Sequence, residues 1–366
     1  MRINLLRKYF FVLLALVCVV INITASSFWI EKYYSRGLYV IVRGVFDSTL
    51  FFLPVAGMYF LAVVIIYFAS RFIRIFFDKK LHFKQRIFQA ILYLFRFVGG
   101  VVSAFYILWG FNYSRIPFKK QINLTLTVPD SNDLKRELIL SAQETEAALI
   151  NFKNSANNAD IKYLEKKALE DSVRAAVFKM LNDLNLPIPG TPRGREIKPD
   201  GIMFRFGISG IYLPFTGEAN IDAANPVLEK PFTLAHEMCH GLGWTDEGSC
   251  NFLAYLACTQ SKNTFLRYSG CISYYRYVAP AYRRINNEDY KKFRETLSPG
   301  FRRDLDDINK TIQKYPLWFS SDALNDTFLK SQGVKAGINS YNQVLLLVRA
   351  WRIKQNASPA TDRRTF

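Results

Sequence analysis

Apolar residues are concentrated before about residue 110, where they form three long runs separated by charged segments. The runs cover residues 9–30, 49–70 and 87–110. Each run is long enough to cross a bilayer, which takes about 20 residues of helix. The first run is not typical of a signal peptide, because no small-residue cleavage site follows it. The pattern predicts a membrane domain at residues 1–113 with three transmembrane helices, the last ending at the interfacial aromatics Trp109 and Tyr113.

The remainder of the chain mixes polar and apolar positions as a soluble domain does. It predicts a mainly helical domain with a small β element at 114–355, followed by a disordered tail at 356–366. Periodicity and capping residues predict helices at about 131–156, 160–184, 231–241, 246–259 and 336–354. Proline, glycine and β-branched residues predict an exposed loop at 185–201 and one or two short strands within 201–222. After residue 262 we expect the helical pattern to break near Pro280, Pro299 and Pro316.

The net charge is +18, and the positions of the basic residues along the chain indicate the orientation of the membrane domain. Basic residues are dense at the N-terminal tip and between the second and third runs, whereas the loop between the first two runs also carries Glu31 and Asp47. The positive-inside rule therefore places the N-terminus in the cytoplasm and everything after about residue 113 outside. Because the basic residues flank apolar runs and form no nucleic-acid motif, we expect a lipid bilayer as partner and no nucleic acid.

The cysteines add little chemistry. None of the five has CxxC spacing, which argues against a site built from cysteine alone. Four of them lie close together in the sequence and could pair in an oxidising compartment: Cys239, Cys250, Cys258 and Cys271. We favour the alternative that they are small buried apolar side chains.

The candidate chemistry lies in an HExxH motif, His236-Glu237-Met238-Cys239-His240. On a helix, the two histidines share one face and can hold one Zn²⁺, while Glu237 can deprotonate a water on the open side of the metal. The remaining histidine of the chain, His82, falls in the predicted cytoplasmic loop and cannot complete this site. The alternative is a buried helix whose histidines are satisfied by hydrogen bonds.

A catalytic zinc site needs a third protein ligand, and two adjacent carboxylates compete for the role. Glu247 could bind the metal, and Asn251, one turn later, could orient one of the ligands by a hydrogen bond. This pair follows the arrangement of gluzincin peptidases, with Asn in place of Asp. Asp246 instead fits the metzincin spacing after the turn at Gly243. We favour Glu247, although either residue could simply complement the dipole of a following helix.

Two further roles stay open at this stage. A donor for the developing oxyanion could be one of several tyrosines: Tyr212, Tyr255, Tyr268 or Tyr274. The segment Ile211–Ile221 is placed like the edge strand on which zincins bind peptide, and a substrate could add to it as a strand. Alternatively, Pro214, Gly217 and Asn220 simply make a turn.

Several blocks together resemble the bacterial domain-of-unknown-function 3810 family, three-span membrane proteins with a zincin-like extracellular domain. The blocks are WGFNYSRIP (109–117), YLPFTGEANI (212–221), FTLAHEMCHGLGW (232–244), the residues Glu247 and Asn251–Tyr255, and FLKSQGVKAGINSY (328–341). The resemblance covers nearly the whole chain. It implies that His236, Glu237 and His240 are the HExxH residues of the family and that Glu247 and Asn251 are its downstream acidic–Asn element, which further favours Glu247 over Asp246.

We therefore expect three transmembrane helices followed by a zincin-like α+β metallopeptidase domain, in a multi-pass protein of the bacterial cell membrane. The expected activity is zinc-dependent hydrolysis of a peptide or protein substrate outside the cytoplasm. The alternative is a sensor or scaffold of the cell envelope that keeps the fold without catalysis. Intramembrane proteolysis is disfavoured, since the motif lies between polar segments rather than within an apolar run.

Overall fold

The computed structural model describes residues 2–49, 52–155, 166–318 and 343–357. Over these residues the chain is mostly helical and contains one three-stranded sheet. The chain divides into two compact units. The first comprises Met1–Ile116 with Leu213–Glu218, and the second comprises Pro117–Tyr212 with Ala219–Phe366.

The first unit is built from helices. They are α1 (Arg2–Thr24), α2 (Ser27–Trp29), a π-helix (Ile30–Leu38), α3 (Tyr39–Thr49), α4 (Gly57–Phe76), α5 (Phe83–Leu108) and a short 3-10 helix (Gly110–Ser114). α1 packs against α5 at a small residue, where a Cβ atom on Gly99 would lie only 2.8 Å from the carbonyl oxygen of Phe11. Ser103, one turn later, donates to the same carbonyl at 3.3 Å. The two backbones can therefore approach closely, as small residues allow in membrane proteins.

Two helices of this unit, α4 and α5, are long and apolar enough to cross a membrane. Within the described residues, a third span is possible if Tyr9–Thr24 and Ser27–Thr49 count as one, although these segments are bent by 113°. α4 begins at Gly57 rather than near residue 49, because Pro54 keeps the residue before it out of the helical conformation. The first predicted span is interrupted at Ser26, whose hydroxyl accepts from the N–H of Trp29 (3.4 Å) and begins a new helix.

The turn Leu213–Glu218 belongs to the first unit through two hydrogen bonds. The buried Arg43 donates through Nη1 to the carbonyl oxygen of Gly217 at 2.7 Å. The carboxylate of Glu218 accepts from the N–H of Gly57 at 2.6 Å. Gly217 has a φ of +66°, and a Cβ atom there would lie 2.6 Å from the ring of Phe46. A glycine is therefore required at this point of the turn.

The second unit packs its helices around one apolar core. They are α6 (Phe118–Gln121), α7 (Ser131–Ser155), α8 (Lys166–Asp183), α9 (Lys230–Gly241), α10 (Glu247–Thr259), α11 (Thr264–Ile285), α12 (Asn287–Thr296), α13 (Pro299–Gln313) and α14 (Gln343–Ala357). α11 packs along α7, and α10 contacts α8, α9, α11 and α14. All residues from Gly248 to Cys258 are buried, so α10 is the central helix of the unit.

Three short strands complete the second unit's architecture: β1 (Arg193–Ile197), β2 (Gly210–Leu213) and β3 (Glu218–Asp222). Their order is β1–β3–β2, so β3 is central and β2 lies at an edge. β3 is buried at every position.

The central strand ends at Asp222, which is fully buried and organises the loop before β2. Its carboxylate accepts four backbone N–H groups. The donors are those of Gly201 (2.7 Å), Met203 (2.8 Å), Phe204 (3.3 Å) and Ala224 (2.7 Å). A buried charge of this kind is stable only because every lone pair finds a donor.

Much of the sequence-based prediction of helices is confirmed. The motif helix and its successor occur at Lys230–Gly241 and Glu247–Thr259, and the helix predicted at 131–156 is Ser131–Ser155. Asp130 caps that last helix by accepting from the N–H of Asp133 at 2.7 Å. Parts of the predictions at 160–184, 336–354 and 356–366 lie outside the described residues, and α14 extends through Ala357.

Two local predictions are wrong. The predicted loop 185–201 contains strand β1, because pairing with β3 decides the conformation that its composition left open. The predicted break near Pro280 is also wrong, since α11 continues through it from Thr264 to Ile285. Packing along α7 and α10 outweighs the local cost of a proline within a helix, which is about 3 kcal/mol.

The five cysteines are all buried and free. The interpretation of Cys239, Cys250, Cys258 and Cys271 as small buried side chains is thereby confirmed, and a disulfide among them is not formed. The stability of the second unit therefore depends on its packing and hydrogen bonds rather than on cross-links.

We expect Asp222→Asn to destabilise the protein strongly. The amide of Asn keeps one oxygen that accepts hydrogen bonds. Its NH₂ group would face backbone N–H groups, which are also donors, so those hydrogen bonds are lost. Hydrogen bonds to a charged acceptor contribute about 1.5–3 kcal/mol each, so the loss is roughly 3 kcal/mol. For a unit of this size, thermal unfolding in detergent should show a midpoint roughly 6–12 °C lower.

Asp200→Asn, an exposed position in the same loop, is the matched control and should leave the midpoint unchanged. Equal midpoints for the two variants would contradict this role of Asp222.

Candidate metal centre

Helix α9 carries the HExxH motif into the interior of the second unit. Pro231 lies at the start of the helix, where its missing N–H costs no hydrogen bond, and every residue from Pro231 to Gly241 is buried. His236 and His240 are one turn apart, so their rings face each other with centroids 4.7 Å apart and planes at 79°. The sequence spacing therefore becomes a pair of imidazoles on one face.

A short turn brings the start of α10 back to these rings. Gly243 has a φ of +88°, a conformation that favours glycine, and lets the chain reverse within a few residues of His240. Asp246 caps α10 by accepting from both the N–H and the hydroxyl of Ser249, at 2.8 and 2.6 Å. Glu247, the first residue of the helix, faces the imidazoles instead. The structure thus separates the two carboxylates that the sequence left in competition.

The three ligand atoms have the spacing that one zinc ion requires. His236 Nε2 lies 3.1 Å from His240 Nε2 and 3.1 Å from a carboxylate oxygen of Glu247, while His240 Nε2 lies 3.5 Å from the other oxygen. Two atoms that each lie about 2.0–2.1 Å from a tetrahedral zinc are about 3.3 Å apart. Among the described residues this trio is the group of metal-binding side chains that lies close enough to share an ion.

The main chain fixes the orientation of one ligand. His240 Nδ1 lies 2.8 Å from the carbonyl oxygen of Trp244. A carbonyl can only accept, so Nδ1 carries the hydrogen and Nε2 presents its lone pair to the other two side chains. Cys250 Sγ lies 3.4 Å from the same ring nitrogen. Sequence reasoning missed both Trp244 and Cys250, because a backbone carbonyl and a thiol from the next helix leave no motif.

Electrostatics in this site favour a bound positive charge. Burial raises the pKa of Glu247, but attraction to His240 and His236 outweighs it and holds that pKa well below the usual range. Burial lowers the pKa of His240, but the neighbouring Cys250 and Glu247 outweigh it and raise the pKa well above its usual value. Both shifts have one physical cause: the carboxylate of Glu247 and the protonated ring of His240 stabilise each other.

Glu237, the predicted general base, is buried against the edge of strand β2. Its carboxylate accepts from the backbone N–H of Tyr212. A Cβ atom on Gly210 would lie 2.6 Å from its Oε1 and 2.8 Å from its Cγ, so the strand leaves no room for a side chain there. Burial raises the pKa of Glu237, and the opposing attraction of His236 and His240 does not cancel the rise. A raised pKa suits a carboxylate that must take up and return a proton near neutral pH.

The edge on which Glu237 lies is the side of β2 that faces away from β3. The N–H of Asp222 donates to the carbonyl of Ser209 at 2.9 Å, which sets the register of the pair. Because backbone groups alternate along an antiparallel strand, those of Gly210 and Tyr212 point to the other side. The predicted edge strand Ile211–Ile221 is therefore only partly right: Gly210–Leu213 is the edge strand, and Glu218–Asp222 is the central strand.

Three of the four tyrosines considered for oxyanion stabilisation are engaged elsewhere. Tyr268 donates to Asp304 (2.6 Å), Tyr274 donates to Glu137 (2.8 Å), and Tyr255 accepts from Arg352 (3.2 Å). These hydroxyls contribute to hydrogen-bond networks among the helices. Tyr212 lies beside the motif helix, with ring atom Cε2 3.1 Å from where a Cβ atom on Gly241 would lie.

Asn251 does not orient a metal ligand in this structure. Its side-chain oxygen accepts from the hydroxyl of Tyr277 at 3.0 Å, and its buried Nδ2 has no hydrogen-bond partner among the described residues. The predicted role fails because one turn of helix separates Asn251 from Glu247 without aiming its amide at an imidazole. The carbonyl of Trp244 takes that place for His240.

The chain was compared with protein families, curated proteins and solved structures. The model of a family described as a protein of unknown function (DUF3810) matches residues 34–348. The comparisons with the curated proteins and with the solved structures gave no match.

We expect Glu247→Ala and Asp246→Ala to separate the two carboxylates by metal binding. Glu247→Ala removes a metal ligand. The zinc affinity should therefore fall by more than the roughly 10–100-fold that is typical when a residue hydrogen-bonded to a ligand is lost. Removing Asp246 deletes a helix cap, which costs about 1 kcal/mol of stability but leaves the three ligand atoms in place. Competition with a zinc-chelating dye measures both affinities, and a larger loss for Asp246→Ala would reverse the assignment.

We expect Gly210→Ala to displace the carboxylate of Glu237 while the ligand set stays intact. The new methyl group would lie 2.6 Å from Oε1 and 2.8 Å from Cγ, and the side chain of Glu237 must turn away from β2 to relieve these contacts. Zinc affinity should therefore stay within about threefold of the wild type, whereas any hydrolysis that depends on Glu237 should fall by roughly 10²-fold or more. Unchanged hydrolysis would show that Glu237 does not need this position.

Proposed function

The chain belongs to the DUF3810 family, and we propose that it is a membrane-anchored zinc-dependent metallopeptidase that hydrolyses peptide bonds outside the cytoplasm. The observation that carries the proposal is the group His236, His240 and Glu247, whose ligand atoms all lie within 4.8 Å of one another, with a buried carboxyl group on the residue next to His236. Three protein ligands with one open position are typical of catalytic rather than structural zinc.

His236, His240 and Glu247 are the residues that would hold the ion. Their donor set, two neutral imidazoles and a carboxylate, is one that zinc prefers, and the hydrogen bond from His240 Nδ1 to Trp244 presets one ring for binding. A bound zinc ion would supply an acidified water and polarise the scissile carbonyl. The rest of the proposed mechanism depends on side chains of the chain itself.

Glu237 is the residue that moves the proton. Its carboxylate accepts a proton from the attacking water and returns it to the leaving nitrogen, so that the C–N bond breaks with a neutral amine as leaving group and the water oxygen stays on the new carboxyl group. The N–H of Tyr212 holds the carboxylate in place, and burial keeps its pKa raised. A carboxyl group that is both held and partly destabilised as an anion is suited to this exchange.

The position of Glu237 also supports a peptide as the substrate class. The carboxylate lies on the outward edge of β2, beside Gly210, and accepts from the N–H of Tyr212 there. An extended peptide could align along that edge by backbone hydrogen bonds, which are independent of side-chain identity. Such an arrangement would bring a peptide carbonyl close to the ion and to the base together.

The location rests on the first unit and on its charges. Two or three of its helices are apolar enough to span a membrane. Basic residues at the N-terminal tip and around the α4–α5 connection favour the cytoplasm for those segments. With three crossings, the metal centre would lie outside the cytoplasm, where it would meet envelope proteins or peptides.

We expect Glu237→Gln to separate metal binding from catalysis in the full chain. The wild type, purified in detergent, should contain about one zinc per chain and cleave members of a peptide library. The variant should retain its zinc, because the side chain is no ligand, and lose roughly 10²–10⁴-fold in rate, the usual contribution of a general base. Zinc content is measured by elemental analysis and cleavage by mass spectrometry of the products.

The matched control is Glu288→Gln, which removes an exposed carboxylate whose ion pair with Lys291 contributes little. It should behave as the wild type in both assays. If the wild type binds a full complement of zinc but cleaves no peptide, the result would favour a sensor or scaffold over an enzyme. A wild type that binds no zinc would overturn the proposal altogether.

A further inference from the structure

The segment Ser27–Thr49, made of α2, the π-helix and α3, has an inverted distribution of polarity; we name it the elbow segment. Its charged residues Arg43 and Glu31 are 1% and 5% exposed. Several of its apolar side chains point outward, with exposed fractions of 60% for Phe28, 58% for Trp29 and 65% for Ile41, while Ile30, Tyr34 and Tyr39 are buried. A helix surrounded by water has the opposite pattern. The medium that the outer face of the elbow segment contacts is therefore apolar.

The buried charges of the elbow segment are fully paired within the first unit. The carboxylate of Glu31 accepts two hydrogen bonds from Arg115, at 2.8 and 2.9 Å, and one from Arg36 at 2.8 Å. Arg43 pairs with Asp47 at 2.6 Å. Paired charges of this kind are the form in which ionisable groups are tolerated at membrane depth. The polar side of the segment is thus satisfied by protein, and the apolar side faces outward.

The elbow segment does not have the properties of a membrane crossing. It contains five charged residues, whereas α4 and α5 are long and apolar enough to cross a membrane. It is also bent by 113° from the helix before it, so that it runs nearly at right angles to α1. If α1 crosses the bilayer, the elbow segment runs along the membrane surface.

The outer face carries the residue types of the membrane–water interface. Trp29 and Tyr33 stack with ring centroids 4.5 Å apart, and the ammonium group of Lys32 lies 5.3 Å from the Tyr33 ring. Amphipathic rings with a nearby cation are typical of the headgroup level. The elbow segment ends at Thr49, shortly before α4, whose apolar side chains are exposed along its length. Its apolar surface therefore belongs to the same unit as the helices that are suited to contact lipid.

We propose that the elbow segment is an interfacial helix that lies in the plane of one membrane leaflet, with Phe28, Trp29, Ile41 and Val45 inserted between headgroups and acyl chains. The occupant of this surface is lipid. The crossings of the first unit are then α1, α4 and α5, and the elbow segment connects the first two on one side of the membrane. This inference is independent of the proposed peptidase activity.

Depth measurements on the full chain in vesicles of phosphatidylcholine and phosphatidylglycerol test the proposal. Single cysteines at Phe28, Ile41 and Val45 carry nitroxide labels, and the five buried native cysteines stay unmodified, as mass spectrometry verifies. Collision with oxygen and with a water-soluble nickel chelate gives the depth of each label. We expect all three labels at one shallow depth, about 5–10 Å into the boundary of headgroups and acyl chains.

Two reference labels calibrate the result. Ile66, in the middle of α4 and 66% exposed, should lie much deeper, and Val128, 88% exposed in the second unit, should be fully accessible to the chelate. A depth that changes steadily from Phe28 through Val45 across the bilayer centre would show a crossing and overturn the proposal. Accessibility equal to that of Val128 would show water, and protection from both reagents would show a protein partner; either result also overturns it.

A second measurement needs no label. The fluorescence difference between wild type and Trp29→Phe reports Trp29 alone. Lipids brominated near the headgroup should quench this difference signal more strongly than lipids brominated near the end of the acyl chain. The reverse order, or no quenching by either lipid, would contradict an interfacial position.

Discussion

A buried carboxylate and two imidazoles that share one site are the constraint on which the second unit depends. A positive charge between three such groups, which lie within 3.5 Å of one another, stabilises their arrangement. Protons on the imidazoles or a divalent cation can supply that charge. The helix pair α9–α10 and the glycine turn at Gly243 hold the three groups at this distance, and α10 is the helix around which the core packs. The site is therefore built on the buried central helix of the unit.

The edge strand β2 fixes the position of Glu237, which the helix pair α9–α10 does not fix by itself. Glu237 lies on the same helix as the two imidazoles, but its carboxylate is fixed by the backbone of β2 rather than by another side chain. Gly210 makes this approach possible, since any larger residue would occupy the space of the carboxylate. In our proposal, a strand that holds the base at its outward edge would bring together the two things that peptide hydrolysis requires, a positioned proton acceptor and a surface along which an extended chain can lie.

The first unit follows the same physical rule in another medium. Its elbow segment turns the charges of Glu31 and Arg43 inward, where Arg115 and Asp47 pair with them, and leaves aromatic and aliphatic side chains outside. In both units a buried charge is held close to a partner of opposite sign or to backbone N–H donors. The difference is in what surrounds them: an apolar protein core in the second unit and, in our proposal, lipid around the first.

The sequence by itself determined the elements whose signals are local. The HExxH spacing, the helix that carries it and the two long apolar helices all depend on residues within one or two turns of each other, and all are present. Only the tertiary structure chose Glu247 to face the imidazoles and Asp246 to cap a helix, because one position along α10 rotates a side chain by about 100°. It also placed Gly210, Tyr212 and Trp244 at the site and withdrew Asn251 from it. Those contacts are made by backbone groups or by residues distant in sequence, and no local pattern encodes where they meet.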